Sequence, residues 1–265
     1  DGSWPEPLPP RRLYTHEACQ AEDHEDWWQG AWSAPYLCLD TEYGDRKPIT
    51  SRLLRLVGVY YPRAPWVYQC WCMDIPGSVE CARGDFRHQL CATLRYVPVI
   101  MFNAIADISA LQAGLGIKYE DYYRIEDPML AHAVLYSDLD HDFGFVHSFW
   151  GRYERVKHLA EEDELLYNSG DVVELEPFWE ACQREFQQDP QSEQVYREQS
   201  LKLIPILLES ANRGIRTDVS RVTAALGRYA RLQHDAELLA NATCGRPINL
   251  ASPQQLHTFA YNIRG

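Results

Sequence analysis

A chain of 265 residues, 46% hydrophobic and 24% charged, has the composition of a folded protein with one large domain or two modest ones, which excludes disorder as its main state. Its 25 Lys and Arg against 38 Asp and Glu give a net charge of -13, which excludes a protein that holds nucleic acid by bulk electrostatics. The same charge leaves room for a carboxylate-rich, phosphate-cleaving site whose cations reverse its sign locally.

Residues 1–33 mix Pro, acids and Trp (Trp4, Trp27, Trp28, Trp32) without a sustained period, and read as an irregular arm that packs its Trp residues onto something. From Tyr36 the pattern changes. YLCLD, LLRLVGVYY and WVYQCWCMD are three apolar, β-branched or aromatic runs, and predict three strands in succession. Phe86, Leu90 and Leu94 share one face of a helix over Asp85–Arg95, and Pro98–Phe102 reads as a buried strand. A helix follows from about Ala106 to Ala113, ended by Gly114 and Gly116. Beyond residue 126 the pattern predicts helices at roughly 127–135, 143–150, 163–187, 191–212 and 217–242, then a short one over 252–261 with Ser252 as N-cap and Pro253 at its first position. The first three strands are joined too briefly for crossovers, so the sheet is expected to be mixed, with helices on its faces.

Asp40-Thr41-Glu42 closes the first strand. Residues two apart on a strand share a side, so both carboxylates can face one point at the sheet's carboxyl edge. Asp107 stands in the first turn of the helix after the fourth strand, and Tyr167 and Asp171 share a helix face through their spacing of four. Read alone, each is an ordinary strand-end or helix acid. Together, Asp40, Glu42, Asp107 and Asp171 make an oxygen donor set for two hard divalent cations, Mg²⁺ or Mn²⁺, able to activate water and clamp a scissile phosphate.

These residues resemble the 3′-to-5′ exonucleases that carry four acids and a tyrosine, and specifically the proofreading domain of family A DNA polymerases. The motifs come in that family's order: LCLDTEY, FNAIAD and YNSGD. GLGIKYED, Asp127-Pro128-Met129-Leu130 and His141-Asp142 match between them, so the resemblance covers about residues 34–180. IPILLESANRGIRTD and INLASPQQL further resemble the start of the polymerase portion and a thumb segment. Leu166, five residues before Asp171, stands where the histidine branch of the superfamily has His. Tyr43, Phe102 and an insertion over Gly44–Ser51 depart from the pattern at positions that touch substrate placement.

The resemblance implies an RNase H-like mixed α/β sheet flanked by helices and followed by an all-helical, truncated thumb. The implied organisation is an arm over 1–33, an exonuclease domain over 34–190, and the first polymerase helices over 191–265. Asp40 would bridge both cations, Glu42 and Asp171 would complete the first site, and Asp107 would hold the second. Tyr167 would orient the attacking water, and Asn103 would contact the terminal nucleotide. The implied partners are a single-stranded DNA 3′ end and a polymerase domain in cis, with no membrane. Two alternatives stand beside this reading: an RNase D-like exoribonuclease, and a catalytically silent single-strand-binding module of the same fold.

Other chemistry finds little support. Eight cysteines without a Cys-x-x-Cys pair read as reduced intracellular thiols, His132 and His141 lack zinc spacing, and no Gly-rich phosphate loop or hydrolase elbow occurs. No apolar run reaches the roughly 18 residues of a membrane helix. The start at Asp1 reads as that of an excised piece without a secretory signal.

Overall fold

The computed structural model describes residues 13–15, 21–44, 53–72, 80–153, 155, 157–160 and 162–263. Among the described residues six strands form one sheet in the order β1-β4-β3-β2-β5-β6: β1 (Leu13–Thr15), β2 (Leu37–Gly44), β3 (Leu53–Tyr60), β4 (Val67–Trp71), β5 (Val99–Ile100) and β6 (Ile125–Glu126). β2, β3 and β4 form the antiparallel meander expected from their short links, while β2–β5, β5–β6 and β1–β4 pair in parallel. The sheet is therefore mixed. β1 and β6, only three and two residues long, were not foreseen, and the expected insertion after Gly44 lies outside the described residues.

The helices of this part are α1 (Ala21–Trp32), α2 (Glu80–Leu94), α3 (Ala104–Leu115), α4 (Pro128–Leu135), α5 (Phe143–Trp150), α6 (Glu164–Gln188), α7 (Pro190–Val195) and α8 (Leu201–Arg213). α1 corrects the irregular reading of residues 21–32. Trp27 and Trp28 are both buried in the core, their rings 5.0 Å apart and packed on Tyr61, Tyr68 and Phe86, so tertiary burial stabilises a helix whose pattern is weak. The long helix expected over 191–212 is interrupted by a π-helical turn, Tyr196–Ser200. There the Tyr196 hydroxyl donates to Glu126 Oε2 at 3.0 Å and accepts the Asp127 N–H at 2.8 Å, an interaction that no local pattern encodes.

Side chains along β2 alternate between two cores. Leu37 and Leu39 join the layer containing residues of α1, α2, α3 and α8, whereas Cys38 joins the layer of α4, α5 and α6. By the same alternation Thr41 belongs to the first side, and Asp40 and Glu42 to the second. β5 runs parallel to β2 with Leu37 opposite Val99 and Cys38 opposite Ile100. The carboxyl ends of both strands, and the start of α3, thus meet at one edge.

The chain divides into two compact units, 1–213 and 214–265. The second contains α9 (Val219–Cys244), capped by Asp218 and ended at Gly245 in the left-handed region, and α10 (Pro253–His257). Ser252 caps α10 by accepting the Gln255 N–H, with Pro253 at its first position, as the sequence predicts. Among the described residues no helix is long and apolar enough to cross a membrane.

Candidate active site

Asp40 and Glu42 point from β2 toward α6. Asp40 pairs with Gly58 on β3, and the missing side chain there is what admits α6: a Cβ on Gly58 would lie 2.1 Å from Asn168 Oδ1. Asn168 Nδ2 donates to Asp40 Oδ2 at 2.8 Å. On the opposite side Asp107, 3% exposed in α3, accepts the Thr41 backbone N–H at 3.1 Å and the Thr41 hydroxyl at 2.6 Å through the same Oδ1. Thr41 therefore ties α3 to the strand residue that separates the two β2 acids.

The four acids act on one another electrically. Burial, then the charges of Asp107, Glu42 and Asp171, raise Asp40 well above the usual carboxylate range, with Asn168 opposing. Burial and the charges of Asp171 and Glu164 push Glu42 up to about 7 against the opposing Arg55. Asp107 is pushed up to about 8, chiefly by burial, although both Thr41 hydrogen bonds favour its charged form. Asp171 rises to about 6 through burial, held down by a hydrogen bond from Tyr167 and by the charges of Arg155 and His147. Burial and the neighbouring acids raise the Tyr167 phenol far above 10, so it remains protonated and donates to Asp171.

Asn103 stands at the start of α3 in the left-handed region, with φ 62° and ψ 55°. It is exposed, and its backbone N–H is held by Asp127 Oδ1 at 3.1 Å. Asp127 also accepts from Ala104, Met129 and Leu130, so one buried carboxylate secures the starts of α3 and α4 together.

Several residues around the acids escaped the sequence reading. Asn168 and Gln69 are both buried; the only signal was a polar residue inside the apolar run of β4 and another inside the YNSGD motif. His147 Nε2–H donates to Glu174 Oε1 at 3.1 Å, and the buried Glu174 side chain also accepts the Arg152 and Tyr153 N–H groups. His132 and His141 hydrogen bond through their Nδ1 atoms at 2.8 Å.

An all-oxygen set of mutually repelling carboxylates, one buried and three half-buried, suits hard divalent cations, whose charge would relieve that repulsion. In the present arrangement Asp107 Oδ1 is taken by Thr41 and Asp40 Oδ2 by Asn168. Among the described residues no three Asp, Glu, His or Cys side chains converge closely enough to grip one ion.

Solved structures with the same architecture include the Pol1 polymerase domain of M. smegmatis in complex with DNA primer-template and dNTP. It aligns with 91% of this chain at TM-score 0.60 and 15% identity, and the match takes up 39% of that chain. The catalytic core of RRP6 from Trypanosoma brucei aligns over 73% of this chain and 52% of its own, at TM-score 0.54 and 15% identity. Escherichia coli RNase D, an exoribonuclease involved in structured RNA processing, aligns over 75% of this chain and 51% of its own, again at TM-score 0.54 and 15% identity. The chain has the RNase H-like fold. Within this fold the four acids lie along the middle and carboxyl half of β2 and on the two helices, α3 and α6, that flank it from opposite faces. The chain spans about half the length of the RNase D and RRP6 structures and less of Pol1. No family model and no curated protein sequence matches it.

Proposed function

We propose that this chain is a metal-dependent 3′-to-5′ exonuclease that removes terminal nucleotides from single-stranded DNA, the proofreading part of a family A DNA polymerase. The observation that carries the reading is the group of buried Asp107 and half-buried Asp40, Glu42 and Asp171, in which Asp107, Glu42 and Asp171 raise Asp40, Asp171 raises Glu42 and Glu42 raises Asp107, with Tyr167 bonded to Asp171. So many acids drawn together out of bulk water cost stability unless cations compensate them, as a phosphate-cleaving site requires. Asp40, Glu42 and Asp171 would hold one ion, and Asp40 with Asp107 the other. Bound divalent cations supply charge neutralisation and Lewis acidity at the scissile phosphate.

The chain's own groups do the rest. Because the Tyr167 phenol stays protonated, it orients the attacking water by hydrogen bonding and does not take its proton. Asn103 would contact the terminal nucleotide, a role supported by its exposure and by the bond from its backbone N–H to Asp127. The preference for DNA, and the division into residues 34–190 as exonuclease and 191–265 as polymerase start, rest on the IPILLESANRGIRTD and INLASPQQL segments. The Pol1 structure with primer-template supports the same choice. An exoribonuclease is the second reading, favoured by the likeness to RNase D and RRP6.

The test is the size ladder from 5′-labelled single-stranded DNA and from the matched RNA, incubated with Mg²⁺ or Mn²⁺ beside EDTA and Asp171→Ala controls. Stepwise shortening of the DNA from its 3′ end, faster than that of the RNA and abolished by both controls, is expected. Faster shortening of the RNA would establish the second reading, and two intact oligonucleotides with a folded protein would refute both.

A further inference from the structure

Asp40 is the acid that most needs to be held in place, since Asp107, Glu42 and Asp171 all repel it. A carboxylate free to turn about its last torsion would rotate away from them. The structure shows what prevents this. Asn168 Nδ2 donates to Asp40 Oδ2 at 2.8 Å and lies 3.5 Å from the Asp40 carbonyl oxygen. An amide, however, can present either its NH₂ or its oxygen, and the oxygen would add to the repulsion.

Gln69 decides between the two. From β4 its Nε2 donates to Asn168 Oδ1 at 2.9 Å and to the Leu165 carbonyl at 2.8 Å, the latter being part of α6 itself. The Asn168 oxygen is thereby engaged on the β4 side, and only its NH₂ can face β2. Gln69 is 2% exposed and its own Oε1 has no partner among the described residues, so the orientation is paid for by one orphaned buried acceptor. Gln69 and Asp40 sit opposite Gly58 from either side in the sheet register, and Asn168 crosses directly above that glycine. A polar residue left inside an apolar strand, with half of its hydrogen-bonding capacity unmet, has a role other than packing.

We propose that Gln69 and Asn168 form a positioning relay that fixes which face of the Asp40 carboxylate is offered to divalent cations. One lone pair of Oδ2 is committed to the amide, which leaves Oδ1 and the remaining lone pair of Oδ2 directed at the acid group. Gln69 touches neither substrate nor cation; it acts through Asn168. The relay rests on the proposed exonuclease function, because it presupposes that Asp40 binds cations.

The test compares the full chain with Gln69→Met, Asn168→Ala and the double variant by Mn²⁺ titration calorimetry, by kcat and KM on labelled single-stranded DNA, and by thermal unfolding. Loss of a partner that orients a metal ligand weakens binding roughly 10- to 100-fold. Each single variant is expected to weaken Mn²⁺ binding by about that range and to lower kcat with KM within about twofold. The double variant is expected to be no worse than Asn168→Ala, because Gln69 has no second route to Asp40. Multiplying losses in the double variant, or a Gln69→Met protein with unaltered Mn²⁺ affinity and kcat, would overturn the relay. If Asn168→Ala fails to unfold cooperatively, Gln69→Glu carries the test: a carboxylate cannot donate to Asn168 Oδ1 and turns the amide round, so its Mn²⁺ affinity must fall below that of Gln69→Met, and equality with the wild type overturns the proposal. A wild-type chain that neither binds Mn²⁺ nor cleaves overturns the exonuclease reading and the relay with it, whereas a binding, cleaving wild type with unaffected variants overturns the relay alone.

Discussion

Replacing Asp107 by Asn isolates the cost of holding an ionised carboxylate inside this site. Asn keeps an oxygen for the Thr41 N–H and hydroxyl but carries no charge. Burial raises Asp107 from 3.8 to about 8. The sign follows from linkage: the folded chain holds this proton more tightly than the unfolded one, so stability is whole below about pH 4 and is lost as pH rises toward about 8. At about 1.4 kcal/mol per pH unit, the loss at pH 7.5 has a ceiling of about 5 kcal/mol. Relaxation and water penetration give a higher effective dielectric constant, which brings the expected effect to about 2–3 kcal/mol. Thermal unfolding in EDTA should therefore place Asp107→Asn roughly 5–10 °C above the wild type at pH 7.5. The two should converge near pH 4. With Mn²⁺ the wild type should gain more than the variant, because only it retains all four acids. An Asp107→Asn protein that is less stable than the wild type in EDTA at pH 7.5, or a difference that does not change with pH, would refute the account.

Two further outcomes follow from particular contacts. Tyr167→Phe removes the hydroxyl that donates to Asp171 and should lower kcat on the order of 10- to 100-fold through a misplaced water, while the Mn²⁺ titration midpoint stays unchanged; a large shift of that midpoint would make Tyr167 a cation-binding support instead. Trp27→Ala removes a buried ring that packs on Trp28, Tyr61 and Tyr68 and donates its Nε1–H to the Trp66 carbonyl, so denaturant unfolding should show a loss of about 3–5 kcal/mol.

What could be read from the sequence depended on the range of the interaction that determines it. The apolar run of YLCLD and the acids that follow it are local, and β2 is found there, extended to Gly44 by its pairing with β3. The helix predicted over 143–150 has those limits because Asp142 caps it, accepting the Gly144 and Phe145 N–H groups. The strand predicted over 98–102 shortens to Val99–Ile100, since Met101 continues only through its N–H to the Glu126 carbonyl. β6 exists because β5 is beside it, and two residues carry no period. Tyr196 turns the predicted long helix into a π-turn through partners about 70 residues away, and Gln69 reaches Asn168 across 99 residues. The charged half of the site was thus visible as a motif, and the neutral half that holds it was not.

That division has a physical reason. Acids that must meet a cation recur as short motifs because each needs a definite place on a strand or helix, whereas the groups that keep the acids apart need only the right atom at the right distance. Asp40 is steadied from α6 by Asn168 and Asp107 from β2 by Thr41. Asp127 reaches the same end indirectly. Its carboxylate, raised to about 6 by burial despite four backbone N–H donors, fixes the first residues of α3 and so the turn from which Asp107 projects. The four acids stand on three elements, β2, α3 and α6, so repulsion among them must work against the packing of all three at once and cannot be relieved by the movement of one loop. The rigidity of the sheet edge is in this sense the condition for keeping four carboxylates poised for cations.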